Sequence, residues 1–502
     1  MCWDDTRSPA SRDSPDAITC ASRGPSKPVD AENGPTVTPT GDARRGGPAV
    51  TQRVAKLLRG LPRASHPARM VVIGFGLAVL VGTVLLKLPV AAQHGSTDWV
   101  TAVFTATSAV CVTGLVVVDT AAHWSEFGEL VILGLIQVGG LGIMTMASLL
   151  GMLVVRRLGL RMRRTAQTET KSLGLGDIRS VIAGVITLSL VIEALVSGAL
   201  TARFALGYHQ PLPHALYFGV FHAVSAFNNA GFALYPDSLE RYATDPWVCL
   251  PVLVAVVTGG IGFPVLFEVG RRLRGRRRRW SLHAKVTLVT YTALLLVGTV
   301  AFTTFEWNNT RTLGGFDTGG KLLAGLFHGI TPRTAGFDTV DISDMNPTTM
   351  LVTDVLMFVG GGSAGTAGGI KVTTFALLAF VILAEVRGES QVHVAGRRLP
   401  ASVQRQALTV VLVGVGMVFV ATLLLLVLSP FRLDAVLFES VSAFGTVGLS
   451  TGITEGLPQP GQLVLVVLMF TGRLGPITLA SALALRERGR RYDLPEERPI
   501  VG

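Results

Sequence analysis

The sequence predicts an all-α integral membrane protein with eight transmembrane helices arranged in four pseudo-symmetric repeats. Of its 502 residues, 49% are hydrophobic and only 15% are charged, and the mean hydropathy is +0.51. A soluble protein of this length could not bury so much apolar surface. Long charge-poor segments set the number of membrane crossings, and a motif that occurs four times sets the number of repeats.

The four copies of this motif share three positions. Phe is followed four positions later by Ser or Thr, and nine or ten positions later by Gly. The copies are FTATSAVCVTGL (104–115), FHAVSAFNNAGF (221–232), FHGITPRTAGF (327–337) and FESVSAFGTVGL (438–449). Their glycines lie 117, 105 and 112 residues apart, so a unit of roughly 110 residues occurs four times. Four copies in one chain can surround one central pore.

Eight apolar segments are long enough to cross a bilayer, for which a helix needs about 20 residues. They lie at 70–90, 130–155, 180–206, 247–267, 286–305, 349–384, 407–428 and 463–485. Between the two crossings of each repeat is an apolar segment too short to span, at 97–110, 213–227, 318–331 and 432–443. These short segments are predicted to be re-entrant half-helices. Each repeat is therefore span, half-helix, loop, span, with the loop at membrane depth.

The repeats divide the chain into six parts. The first 64 residues are rich in Pro, Ser, Asp and Gly and predict a disordered cytoplasmic tail. The repeats follow at 65–164, 165–279, 280–403 and 404–490, the third with an interrupted second span, and a short cytoplasmic tail follows at 491–502.

Arginine-rich segments follow the second spans of the first three repeats, at 156–164, 271–279 and 387–405. The positive-inside rule predicts that these segments and both termini are cytoplasmic, in a multi-pass protein of the plasma membrane. This topology and contact with anionic lipid account for the net charge of +11, so nucleic-acid binding is not expected. The opposite side is rich in Asp and Glu, which would enrich cations there.

Each motif ends in a loop whose glycine permits a positive φ, so that successive carbonyl groups can turn toward one axis. Four such loops can replace the hydration shell of a monovalent cation, and the half-helices would point their partially negative C-termini at the same place. The sequence therefore predicts a selectivity filter and no catalytic residue. The predicted ion-binding residues are Val112, Thr113, Gly114, Asn229, Ala230, Gly231, Thr334, Ala335, Gly336, Thr446, Val447 and Gly448.

The stretches TSAVCVTGLVVVDT (107–120), FHAVSAFNNAGF, TPRTAGFDT (331–339) and SAFGTVGLSTG (442–452) resemble the filter motifs of the Trk/Ktr/HKT superfamily of potassium transporters, in particular those of the Ktr membrane subunit. The resemblance covers about residues 65–490. It implies potassium uptake by a homodimer with one pore per subunit, regulated by a cytosolic nucleotide-binding ring of another protein. This chain itself would bind potassium at the filter and no cofactor. Plant members with Ser at the first filter position pass sodium, so Gly114 implies a preference for potassium.

The sixth apolar segment is too long for one crossing, and the tract GGGSAGTAGGIK (360–371) interrupts it. The break predicts a loop inside the pore below the filter, and the resemblance implies that this loop is an intramembrane gate. We expect the tract to pack loosely, because it has few side chains, and Arg473 of the last span to form a cytoplasmic-side barrier. The predicted gate residues are Gly361, Gly362, Ser363, Ala364, Gly365, Thr366, Gly368, Gly369, Lys371 and Arg473.

The sequence also offers two alternatives to a channel-like pore, an enzyme and a coupled transporter. Residues 361–365 fit the G-x-S-x-G pattern of a serine hydrolase, but no histidine is available as a base for Ser363, so an enzyme is not expected. A secondary transporter that couples potassium to sodium or protons is the closer competitor. Such carriers commonly use inverted repeats, whereas these four repeats share one orientation. Whether sodium is needed for activation stays open.

Two further charged residues lie in apolar surroundings. Arg333, in the third motif, is expected to lie behind the filter and to hold its backbone, because a cation on the axis would repel potassium. Glu193, in the third span, is expected to be a buried structural partner.

Overall fold

A computed structural model describes residues 67–157, 178–275, 279–389 and 391–475. The predicted tails at 1–64 and 491–502, most of the first arginine-rich segment and the end of the eighth apolar segment lie outside the described residues. The described chain is almost entirely helical. Its main helices are α1 (Pro67–Leu86), α2 (Trp99–Cys111), α3 (Glu126–Arg157), α4 (Ile178–Gly207), α5 (Leu212–Asn228), α6 (Pro246–Ile261), α7 (Phe263–Leu273), α8 (Leu282–Glu306), α9 (Thr318–Ile330), α10 (Pro347–Phe358), α11 (Val372–Val386), α12 (Ala401–Leu428), α13 (Leu433–Gly445) and α14 (Gln459–Leu474).

The connections between these helices contain only short regular elements. Helical turns lie at Pro89–Ala91, Thr120–His123, Glu240–Tyr242 and Ile342–Asp344. A small antiparallel hairpin joins β1 (His393–Val394) to β2 (Arg397–Arg398), in the third arginine-rich segment.

Four helices, α1, α4, α8 and α12, are long and apolar enough to cross a membrane. They coincide with the first predicted crossing of each repeat. Their apolar windows are only 22% to 33% buried within the protein, and large side chains such as Leu195, Val289 and Phe419 are more than half exposed. Such surfaces are stable in contact with lipid rather than water.

The second predicted crossings differ more from one another. Helix α3 is a continuous helix of 32 residues, and the sixth segment is interrupted between α10 and α11. The fourth segment, predicted as one helix over 247–267, is two helices, because α6 and α7 meet at 109°. Gly262 makes the break with a φ of 98°, and Pro264, in the first turn of α7, cannot continue the preceding helix.

The four predicted half-helices are α2, α5, α9 and α13. Their first turns carry helix-start signals: the side chain of Asp98 accepts a hydrogen bond from the Val100 amide, and Asp317 accepts from the Gly319 and Gly320 amides. The Phe of each motif lies on these helices and is at most 1% exposed: Phe104, Phe221, Phe327 and Phe438. A buried ring thus fixes each half-helix along its length, and side-chain capping also fixes the start of α2 and α9.

Candidate functional site

The half-helices lead into four loops with one backbone pattern. The first residue of each predicted filter triplet is left-handed, with φ of 54° at Val112, 58° at Asn229, 71° at Thr334 and 50° at Thr446. The second residue has a negative φ, and the third is a glycine with φ of 94° at Gly114, 69° at Gly231, 72° at Gly336 and 97° at Gly448. This alternation directs successive carbonyl oxygens to one side of the chain, as a carbonyl-lined filter requires.

The four glycines form a closed ring. A β-carbon on Gly114 would lie 2.5 Å from the carbonyl oxygen of Ala230, in the next repeat. A β-carbon added to each of the other glycines would meet the carbonyl oxygen of the next repeat in the same way. The distances would be 3.0 Å from Gly231 to Ala335, 2.4 Å from Gly336 to Val447 and 2.2 Å from Gly448 to Thr113. The fourth repeat therefore returns to the first. A side chain at any of these positions would displace a carbonyl group of the neighbouring loop.

The left-handed residues before the glycines are strained. Val112 and Thr446 are β-branched, and a positive φ is rare for such side chains; each costs on the order of 1–3 kcal/mol. Both are fully buried. The end of α2 holds Val112 in this conformation, because its amide donates to the carbonyl of Ala109 at 3.1 Å and the Thr113 amide donates to that of Ser108 at 2.8 Å.

The Ser or Thr of each motif ties its loop back to the half-helix, in two ways. In the first and fourth repeats the hydroxyl accepts a hydrogen bond from the filter glycine, Ser108 from Gly114 and Ser442 from Gly448, both at 3.1 Å. In the second and third repeats the hydroxyl donates to the carbonyl after the glycine, Ser225 to Phe232 and Thr331 to Phe337. The recurring hydroxyl is thus a loop clamp in all four repeats.

A second supporting position was missed by sequence reasoning. The residue directly after the motif Phe is polar in every repeat. In three repeats its side chain accepts a hydrogen bond from a backbone amide in the segment that follows the filter triplet. His222 accepts from Leu234 at 3.4 Å, His328 from Thr339 at 3.3 Å and Glu439 from Thr451 at 3.1 Å. Thr105 holds this position in the first repeat. Aligning the four copies by their Phe would have revealed this recurring polar position.

The tract between α10 and α11 forms a loop that is bonded to the bend between α6 and α7. The Gly362 amide donates to the Gly260 carbonyl at 2.8 Å, and the Thr366 amide donates to the Gly259 carbonyl at 3.1 Å. The Phe263 amide, at the start of α7, donates to the carbonyl of Ala364 at 3.4 Å. This intramembrane loop, residues 359–371, is therefore attached to both sides of the bend.

The same loop touches two filter loops. The hydroxyl of Thr366 lies 3.0 Å from the side-chain amide of Asn229. A β-carbon on Gly368 would lie 1.9 Å from the Thr446 hydroxyl, and one on Gly369 would lie 3.2 Å from the α-carbon of Gly445. The intramembrane loop thus lies directly against the second and fourth filter loops.

The expectation that the tract packs loosely is wrong. A β-carbon on Gly360 would lie 2.2 Å from the Gly368 carbonyl, and one on Gly362 would lie 1.9 Å from that of Ile261. The small residues are there because backbone packs on backbone, and the loop is held by hydrogen bonds rather than by side chains.

Arg473, at the end of α14, is buried and contacts the intramembrane loop directly. Its guanidinium donates to the carbonyl of Thr366 and, at 3.3 Å, to that of Gly139 in α3. Lys371 donates to the carbonyl of Ala367, within the loop. Arg473 therefore joins the loop to two helices of other repeats.

The remaining predicted residues fall into structural roles. The Ser363 hydroxyl pairs with that of Thr373 at 3.1 Å and not with a base. Glu193 accepts hydrogen bonds from Gln137 at 3.0 Å and Asn228 at 3.3 Å, which makes it the buried partner that was expected.

Arg333 lies behind the third filter loop, as expected, but its side chain bonds to α8 rather than to the filter backbone. Its guanidinium donates to the Tyr291 carbonyl of α8 at 2.7 Å and lies over the Tyr291 ring. The side chain is 1% exposed, so it anchors the third loop to α8, away from the ring of glycines.

Exposed apolar helices around four converging glycine loops are typical of membrane transporters of cations. The chain belongs to the TrkH family of cation transport proteins, because the family model matches residues 50–489. It is therefore a transporter and not an enzyme, and the resemblance predicted from the four motifs is confirmed.

Relatives and a solved structure support the same family. The chain is 39% identical to the Ktr system potassium uptake protein B of Bacillus subtilis (85% of this chain, 95% of the relative) and 36% identical to that of Vibrio alginolyticus (86% and 94%). It is 33% identical to the potassium/sodium uptake protein NtpJ of Enterococcus hirae (87% and 97%). The crystal structure of the potassium transporter TrkH from Vibrio parahaemolyticus has the same fold, with a TM-score of 0.64 and 18% identity over 85% of this chain and 86% of that chain.

Asp338, in the connection that follows the third filter glycine, should make stability depend on pH. Burial, with the nearby charges of Glu240 and Asp341, raises the pKa of its carboxyl from 3.8 to about 7. Between pH 4 and 7 the unfolded chain releases this proton first, so the folded state loses stability as pH rises, and the loss is complete above pH 7. Asp338→Asn should therefore raise the melting temperature by about 2 °C at pH 8 and by less at pH 5. Thermal unfolding of the purified protein measures this; an equal shift at both pH values would contradict the assignment.

Proposed function

We propose that this protein takes up potassium across the plasma membrane through a channel-like filter on a pseudo-fourfold axis, with eight transmembrane segments in four repeats. The observation that carries the proposal is the closed ring of contacts from each filter glycine to the carbonyl of the next repeat. The ring presents backbone oxygen from four directions, which is the coordination that a dehydrated monovalent cation needs. The half-helices support it by directing their C-terminal ends toward the same place.

Potassium is the proposed substrate rather than sodium. Two relatives are named as potassium uptake proteins, and the first filter triplet ends in Gly114, which leaves the ring lined by backbone alone. A potassium/sodium uptake protein is also among the relatives, and this favours sodium coupling or activation as the second candidate. The two candidates differ in whether a sodium gradient changes potassium flux.

Electrical recording from the purified full chain in liposomes tests the proposal. We expect the reversal potential to follow the potassium gradient and to stay unchanged when a sodium or proton gradient is imposed. Potassium that moves against its own electrochemical gradient when a sodium or proton gradient is imposed would instead identify a coupled carrier. Empty liposomes and liposomes containing heat-unfolded protein serve as controls.

The intramembrane loop is the proposed gate, with Arg473 holding it closed. The loop lies against two filter loops and is held by hydrogen bonds from α6, α7 and α14. Movement of these helices would therefore move the loop. This differs from a barrier formed by the charge of Arg473, because the guanidinium is engaged with two carbonyl groups.

A homodimer and a cytosolic nucleotide-binding partner complete the proposal. Two relatives belong to Ktr systems, and the arginine-rich segments at 271–279 and 387–405, taken as cytoplasmic together with both termini, would offer the partner a basic surface. Segment 161–164, the third part of this proposed surface, lies outside the described residues.

The response of potassium flux to nucleotide should depend on this partner. Inside-out vesicles washed at high salt, which removes peripheral proteins, should lose any response of potassium flux to added nucleotide, and the wash fraction should restore it. Vesicles treated identically with low-salt buffer are the control. Full, nucleotide-sensitive flux from the purified chain alone would rule the partner out.

A further inference from the structure

Helix α7 has the character of a helix that lies on a membrane surface. The chain turns by 109° between α6 and α7, so if α6 runs across the bilayer, α7 runs close to the membrane plane. Phe263 and Val265 are buried, and the ring of Phe267 packs against Gly184 of α4. The other end of α7 is basic and outward-facing. An apolar face with a charged end is typical of interfacial helices.

The C-terminal end of α7 exposes apolar and basic side chains together. Leu273 is 83% exposed, and its neighbours Arg272 and Arg274 are also exposed. The guanidinium of Arg272 lies 4.9 Å from the centre of the Trp280 ring, and tryptophan is enriched at membrane interfaces. Acyl chains would cover the leucine, and anionic headgroups would bind the arginines. A water-exposed protein surface would leave the leucine without this cover.

Helix α7 is rigidly connected to the rest of the fold and to the intramembrane loop. The carboxylate of Glu268 accepts hydrogen bonds from the amide and hydroxyl of Ser281, both at 2.7 Å, just before α8. At its other end, the Phe263 amide donates to the Ala364 carbonyl. Gly262 is packed so closely that an added β-carbon would lie 2.4 Å from the Ser363 carbonyl. A displacement of α7 would therefore be transmitted to the loop.

We propose that α7 binds anionic lipid headgroups through the Arg272–Arg274 end, which takes these two arginines out of the basic surface offered to the cytosolic partner, and that α7 sets the position of the intramembrane loop through the bend at Gly262. Cation flux then depends on the anionic lipid content of the membrane. The inference rests on the proposed function, because it assigns a regulator to the proposed gate. It requires no direct contact between lipid and the filter.

Reconstitution in lipids of defined charge tests the headgroup contact. We expect potassium flux in phosphatidylcholine liposomes to change at least threefold when phosphatidylglycerol is added. The double variant Arg272→Gln/Arg274→Gln should lose most of this response. The matched control is Arg311→Gln/Arg432→Gln, which removes two arginines that are 70% and 86% exposed. These arginines follow the C-terminal ends of α8 and α12, away from α7. The control should respond to anionic lipid as the wild type does.

A pair of glycine substitutions tests the connection to the loop. Gly262→Ala places a methyl group at a φ of 98° against the Ser363 carbonyl, whereas Gly270→Ala, within α7, meets nothing within 4 Å. The first should abolish the lipid response without changing selectivity, and the second should leave the response intact. If Gly262→Ala does not insert in the membrane, Glu268→Gln, which weakens the tie to Ser281, should reduce the response instead.

The outcomes separate this inference from the proposed function. Potassium flux that is the same in neutral and anionic liposomes, or a lipid response that survives in Arg272→Gln/Arg274→Gln, overturns the role of α7 and leaves the potassium pore standing. Flux that is lipid-independent but responds to a cytosolic protein would assign the basic end to that protein. The absence of potassium flux in every lipid would overturn the proposed function itself.

Discussion

Gly114→Ser is expected to lower the preference for potassium over sodium by at least about tenfold, which corresponds to about 1.4 kcal/mol in the difference between the two ions. The new β-carbon would lie 2.5 Å from the carbonyl oxygen of Ala230, on a residue whose φ is 94°. The carbonyl has to move, and the ring of oxygens loses its spacing. The hydroxyl adds a ligand that can be placed closer to the axis, which suits a smaller ion.

The permeability ratio from reversal potentials under mixed potassium and sodium gradients measures this effect. Gly134→Ser is the matched control, because it lies in α3 of the same repeat and an added β-carbon meets nothing within 4 Å. The control should retain the wild-type ratio. An unchanged ratio in well-folded Gly114→Ser would show that the ring of glycines does not select the ion.

Arg473→Ala is expected to raise potassium flux severalfold with little change in selectivity. The substitution removes the hydrogen bonds to Thr366 and Gly139 and with them the link between the intramembrane loop and two helices. Charge-assisted hydrogen bonds contribute roughly 1.5–3 kcal/mol each, enough to shift an equilibrium between closed and open loops by an order of magnitude. Deleting part of the 360–369 tract should act in the same direction and more strongly.

Single-channel or flux measurements in liposomes, normalised to inserted protein, distinguish a loop that closes the pore from one that supports the filter. Arg405→Ala removes an exposed arginine from α12 and should behave as the wild type. Lower flux in folded Arg473→Ala, or loss of selectivity in the deletion variant, would mean that the loop supports the filter rather than closing the pore.

Repetition made the backbone conformation of the four loops predictable from the sequence. A single Val-Thr-Gly segment such as 112–114 has many uses, but four Phe, Ser/Thr and Gly positions in the same order restrict the loops to one backbone conformation, and the positive φ of Gly114, Gly231, Gly336 and Gly448 follows. The half-helices were predictable for a similar reason, since all four segments are apolar and too short for a crossing.

The contacts of the intramembrane loop, unlike its existence, were not predictable, because they join segments that are distant in the sequence. The tract at 360–369 has few side chains, and nothing local indicates that Gly259 and Gly260 will bond to its backbone. The break at Gly262 had a local signal, Gly-Phe-Pro, but the surrounding apolar residues outweighed it. The partner of Arg333, the carbonyl of Tyr291, could not be predicted, because it is a backbone atom and leaves no trace in the sequence.

The two kinds of loop clamp divide the outer entrance into unequal halves. The carbonyl groups of Phe232 and Phe337 are occupied by hydroxyl donors, whereas in the described part of the chain no hydrogen bond ends on the carbonyl groups of Leu115 or Leu449. The first and fourth repeats are neighbours in the ring, so the two carbonyl groups without a hydroxyl donor belong to adjacent loops. If these two carbonyl groups turn toward the ion path, an arriving ion exchanges water for protein on that side first and keeps the rest of its hydration until it reaches the glycines. The ion would then lose its water in two stages, first on one side only and then, at the glycines, on all sides.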